Sequence, residues 1–132
     1  MKNLFIDEAE EIVINFTVAE AQDGTIYCGI DKEKFVKDLE EGCEINDYKA
    51  VFKKPNFGDT VNIYDFMFNV RDNASVNLNL NPVLARYNKI IALIKSWDLT
   101  DEKPTEQVIR KLHPIIANTI GIQLESLVGN VI

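Results

Sequence analysis

The chain is poor in the residues from which reactive centres are built. It holds one histidine, His113, and one histidine cannot form a His-based metal site. No H-E-x-x-H spacing occurs. Its two cysteines, Cys28 and Cys43, form no Cys-x-x-Cys pair and have no histidine close by in sequence. Two free thiols in a reducing compartment are the simpler expectation. The six glycines are scattered, which excludes a phosphate-binding loop and a dinucleotide fingerprint. No serine lies in a G-x-S-x-G elbow. The long apolar run is missing too: Ile90 to Ile94, "IIALI", is far too short to span a bilayer. The opening "MKNLFIDEAEE" turns acidic at once and does not read as a secretory leader.

Positive charge is also in deficit. With 14 Lys and Arg against 21 Asp and Glu, the net charge is −7 over 132 residues. Phosphate backbones would repel such a chain, so non-specific nucleic-acid binding is disfavoured. Lys49, Lys53, Lys54 and Arg71 could form a basic spot, but they lack interleaved exposed aromatics. The acidic positions fall in runs, as at Asp7–Glu11 and Asp98–Glu102, and read as solvated charge rather than paired catalytic groups. "DNASVNLNLN" is rich in Asp and Asn but lacks the glycine and terminal glutamate of a calcium loop. The expectation is no catalytic residue, no metal and no cofactor.

What is present is hydrophobic patterning for one domain over 1–132, with a sheet-rich part at 1–54 and a helical part at 55–132. In Glu11–Glu20, Ile12, Ile14, Phe16 and Val18 recur at period two, which predicts a strand. Asp23-Gly24 is a turn pair, and Thr25–Ile30 is the returning strand of a hairpin. Asp31–Gly42 predicts a short helix, capped by Asp31 and ended by Gly42 in a left-handed conformation. Tyr48, Ala50 and Phe52 alternate within Asp47–Lys54 and predict a third strand. The fold class is α+β: a small antiparallel N-terminal sheet with a short helix, then a helical C-terminal half.

The period changes at Asn56 or Asp59, either of which can cap a helix from about Phe57 to Val70. Arg71–Pro82 is an Asn-rich loop with an extended piece at Val76, Leu78 and Leu80. Asn81-Pro82 opens a further helix. Leu84, Tyr87, Ile91 and Ile94 share one face of it, extended by Ile90, Leu93 and Trp97. "DLTDEKPT" interrupts, Thr105 caps a short helix carrying Val108, Ile109 and Leu112, and His113 marks the boundary before Pro114. The last helix carries Ile116, Ile120, Leu124 and Leu127 and ends near Gly129. Gly121 inside it costs about 1 kcal/mol relative to Ala, and a close helix approach would explain it. Trp97, at the end of an apolar face, either closes the core or anchors an interface.

Several segments together resemble the small tail assembly chaperones of long-tailed bacteriophages. They are the aromatic-basic "YKAVFKKP" at Tyr48–Pro55, "NFGD" at Asn56–Asp59, "RYNKIIALIKSWDLTDE" at Arg86–Glu102, and "KPTEQVIRKLHPIIANTIG" at Lys103–Gly121. The resemblance covers Tyr48 to Leu127 and does not extend to the N-terminal hairpin. It implies a non-enzymatic role in the host cell cytoplasm, with the tape-measure protein or the tail-tube protein as partner. Nucleic acid and membrane are not expected partners, and a homo-oligomer stays open. Trp97, Tyr64, Val76, Leu78 and Leu80 are the candidate partner contacts. Two other roles fit the same layout: a structural virion protein of the tail or head-tail connector, and an acidic inhibitor of a host protein.

Overall fold

A computed structural model describes residues 4–7, 9–63 and 82–128. The expected contacts Tyr64, Val76, Leu78 and Leu80 lie outside the described residues, as do the helix beyond residue 63, the Asn-rich loop and Gly129.

Four antiparallel strands form one sheet in the order β2-β1-β3-β4: β1 is Glu11–Glu20, β2 Ile26–Gly29, β3 Glu44–Lys53 and β4 Ile94–Trp97. The helices of the C-terminal half pack on the core face of this sheet, so the α+β expectation holds. β1 is central to the N-terminal part, pairing with β3 along its full length from Glu11↔Lys53 to Glu20↔Glu44. Alternation does what the sequence predicts. Ile14, Phe16, Ala50 and Phe52 point into the core, with Ile12, Val18 and Tyr48 packed beside them. Cross-strand Phe16 and Tyr48 rings lie 5.9 Å apart. Burying each of the large side chains here stabilises the fold by about 1.5–3 kcal/mol, before the entropy of ordering it is subtracted.

The β1–β2 connection turns at Ala21–Gly24, where the Gly24 N–H donates to the Ala21 carbonyl at 2.9 Å and Gly24 has φ +88°. Only a residue without a Cβ takes that conformation at no steric cost. The Asp23 carboxylate accepts the Thr25 N–H at 3.0 Å. That bond, with a second from the Thr25 hydroxyl, holds its pKa below the ordinary carboxylate value.

Helix α1, Lys32–Lys37, is capped by Asp31 as expected but ends earlier than Gly42, at Asp38. Pairing of Glu44 with Glu20 claims the following residues for β3, so the chain must turn back at once. Gly42, at φ +87°, serves that turn and not the helix end. β3 consequently starts at Glu44, three residues before the expected Asp47.

Helix α2, Pro82–Leu93, passes into β4 without a loop. Ile94 and Trp97, expected to continue the helical face, both belong to a strand instead. The cause is a register shift opposite Val51 and Phe52. Trp97 pairs with Ala50 and Ile94 with Phe52, so Lys95 is the extra residue of a bulge. A bulge re-phases the strand. Ile94 and Trp97, three apart, therefore both face the core, the spacing a helix would show.

Helix α3, Glu106–Arg110, is capped by the Thr105 hydroxyl, which accepts from the Val108 N–H. Helix α4, Pro114–Val128, starts at His113, whose Nδ1 accepts the Ile115 N–H at 3.2 Å. Ile116, Ile120 and Leu124 of α4 are buried, joining Ile90, Leu93 and Ile109 in the core. Leu127 shares their spacing but is 51% exposed, so it is not a core residue. α4 lies over β1 and β2 and packs on α2. Gly121 makes that packing close: a Cβ there would stand 2.9 Å from the Cβ of Arg86.

Candidate partner-binding surface

An exposed apolar feature lies where the N-terminal segment meets the end of β3. Two local motifs build it. First, residues 57–63 are helical, and their start is a reciprocal cap. The Asp59 N–H donates to Asn56 Oδ1, and the Asn56 N–H donates to Asp59 Oδ2, each at 2.9 Å. Both expected cap residues thus act together, each satisfying a free amide of the helix start. Lys53 Nζ, at the end of β3, lies 3.0 Å from Asp59 Oδ1 and ties the cap to the sheet. Ile63 is buried, so the same helix turns Phe57 and Val61 outward, at 84% and 42% exposure.

Second, the chain turns at Ala9, where Asp7 and Glu10 bond each other. The Glu10 N–H donates to the Asp7 carbonyl, and the Asp7 N–H donates to the Glu10 carboxylate. The Lys54 N–H donates to the Glu10 carbonyl and fixes this turn to the chain leaving β3. Leu4 and Phe5, just before it, are 78% and 83% exposed. Leu4, Phe5, Ile6, Pro55, Phe57 and Val128 line an open cleft of about 770 Å³. Leu4 and Phe57, both largely in water, forgo about 2 kcal/mol each of burial. Clustered exposed apolar side chains make this cleft the candidate contact surface.

Trp97 sits elsewhere. It is half-buried on the core face of β4 and packs against the core cluster. Its indole N–H donates to the Glu102 carbonyl at 3.0 Å, closing the turn that follows β4. The neighbouring Asp98 continues the strand pairing by other means: its carboxylate accepts the Lys49 N–H at 2.7 Å, and its own N–H donates to the Lys49 carbonyl. The "SWDL" stretch is thereby a strand end and a turn. Leu4, Phe5 and Phe57 were missed by the sequence reading. The sequence predicts a helix from about Phe57, and periodicity cannot tell which side of a helix is left uncovered.

Asp47 accepts from the Thr17 hydroxyl at 2.8 Å and lies 2.6 Å from Lys32 Nζ. The Lys32 and Thr17 hydrogen bonds lower its pKa. Burial raises the pKa of the Cys28 thiol, which favours the unreactive protonated form. Both cysteines are free and half-buried. Among the described residues no group of three or more His, Cys, Asp or Glu could hold a metal ion. No helix among them is long and apolar enough to cross a membrane. No protein-family model, curated protein or solved structure matches the chain.

Proposed function

We propose that the chain is a non-enzymatic protein-binding module, and that its role is tail assembly in a long-tailed bacteriophage. It would bind the tape-measure protein or tail-tube subunits in the host cell cytoplasm and be absent from the finished particle. The observation that carries the binding role is the apolar cleft formed by Leu4, Phe5 and Phe57 on a chain of net charge −7. An aggregation-prone helical partner needs its apolar stripe covered by such a surface, and the excess negative charge keeps the complex dispersed. The segments of Tyr48–Leu127 that resemble the chaperone family support the phage assignment.

The test is affinity capture of the tagged chain during phage infection, with bound proteins identified by mass spectrometry. Tape-measure or tail-tube protein in the eluate, lost on Phe57→Ser, with no bait in purified particles, is the expected result. Bait retained in purified particles would instead make it a structural virion protein. A host protein as sole partner would make it an inhibitor.

A further inference from the structure

A second groove lies between α2, α3 and the first half of α4, with a volume of about 220 Å³. Its walls are mainly apolar, with Val83, Ile90, Ile109 and Leu112, and Arg86 and Arg110 also line it. The apolar cleft described above reaches α4 at Val128, whereas this groove uses Ala117. Eleven residues at 1.5 Å each separate those points by roughly 16 Å, so the two surfaces are distinct.

Charge is unevenly matched here. Glu125 Oε1 stands 3.7 Å from Arg86 Nε and 3.6 Å from Lys89 Nζ. One carboxylate oxygen therefore faces two cations, neither of them at hydrogen-bonding distance. The Lys89 side chain is 2% exposed, and Arg86 Nε is buried with no hydrogen-bond partner. A buried cationic donor left without an acceptor is costly, and a carboxylate or similar oxygen arriving there would recover that cost. Arg110 is better satisfied: its Nε donates to the Tyr87 hydroxyl and its Nη2 lies 3.4 Å from Glu106. Among the described residues that line the groove, the charged ones are Arg86 and Arg110, both cations, on a protein whose overall charge repels anions.

We propose that this groove binds a segment of a protein partner that presents a carboxylate directly beside an apolar side chain. The carboxylate sits on the Arg86 guanidinium, whose planar fork suits two-oxygen recognition. The apolar group fills the space between Ile90 and Ile109. The inference rests on the reading of the chain as a protein-binding module and gives the chemistry that one of its surfaces would select.

The probe is N-acetyl-leucine, which carries both groups, titrated into the isotope-labelled full chain and followed by NMR. Its uncharged analogue N-acetyl-leucinamide is the control. The expected result is saturable shifts at Val83, Ile90 and Ile109 that weaken with added salt, and roughly tenfold weaker binding in Arg86→Gln, the loss of one charged hydrogen bond. Should Arg86→Gln fold poorly, Arg86→Lys keeps the charge and loses the fork, and it too should bind more weakly. Equal binding of the amide, unchanged binding in both Arg86 variants, no shifts, or shifts at Leu4 and Phe57 instead would each overturn the proposal. Fragment binding without capture of a tail protein would remove the assembly role and leave the groove standing. Capture without fragment binding would do the reverse.

Discussion

Replacing Gly121 by alanine sets two effects of opposite sign against each other. In an exposed helix interior the change stabilises by about 1 kcal/mol, because alanine loses less backbone freedom. At this position the new Cβ would lie 2.9 Å from the Cβ, 3.1 Å from the Cγ and 3.2 Å from the Cδ of Arg86. Carbon atoms at rest sit about 3.5–4.0 Å apart. The nearest atom is a Cβ fixed to the α2 backbone, not the free end of a side chain, so rotamer change alone cannot relieve the contact. The helices must part by about half an ångström, and overpacking of this kind costs about 1–3 kcal/mol. The second effect outweighs the first, leaving a net loss of about 1 kcal/mol. For a domain of this length that lowers Tm by about 4 °C. Urea and thermal unfolding of Gly121→Ala measure it directly. Arg86→Ala in the same background removes the Cγ and Cδ contacts but keeps the Cβ contact, so it should recover part of the loss. A Gly121→Ala protein more stable than wild type by the full helix-propensity gain would show that α2 and α4 do not approach this closely.

Phe57→Ser should leave the urea midpoint almost unchanged, within about 0.5 kcal/mol, because the side chain is already in water; a large loss of stability would mean that Phe57 is covered in the folded protein. Asp47→Asn tests linkage. The folded-state pKa of Asp47 is lowered, so its ionic contribution is present above the unfolded value and is lost as pH falls through the folded one. The stability gap between wild type and variant should therefore shrink once pH drops below about 4, and a gap independent of pH would contradict the pairing with Lys32. Trp97→Phe keeps the core contact and deletes the bond to the Glu102 carbonyl; it should cost about 1 kcal/mol and speed amide exchange in the turn after β4. Unchanged exchange there would remove the indole's role in closing that turn.

The legible part of the fold was the part governed by local period and local caps. Ile14, Phe16, Ala50 and Phe52 alternate without interruption, and alternation on a half-covered sheet has one reading. Asp31, Thr105 and His113 mark helix starts because their side chains bond the first free amides, an interaction within three residues. The bulge at Lys95 defeated the same logic, since it gives a strand the i, i+3 spacing of a helix. Of the expected partner contacts, Trp97 is a half-buried strand residue, and the surface-exposed Leu4, Phe5 and Phe57 carried no signal of their exposure.

By itself the sequence determined the central strands, the helix starts at Asp31, Thr105 and Pro114, the negative charge, and what the chain lacks: any spaced set of histidines, cysteines or glycines for chemistry. These follow from neighbours along the chain. Only the tertiary structure decided that a fourth strand joins from the C-terminal half, that α1 stops short, that one carboxylate of Glu125 serves two cations, and that Phe57 meets Leu4 and Phe5 in one cleft. Each of those depends on residues brought together across the fold, where register and packing override local preference.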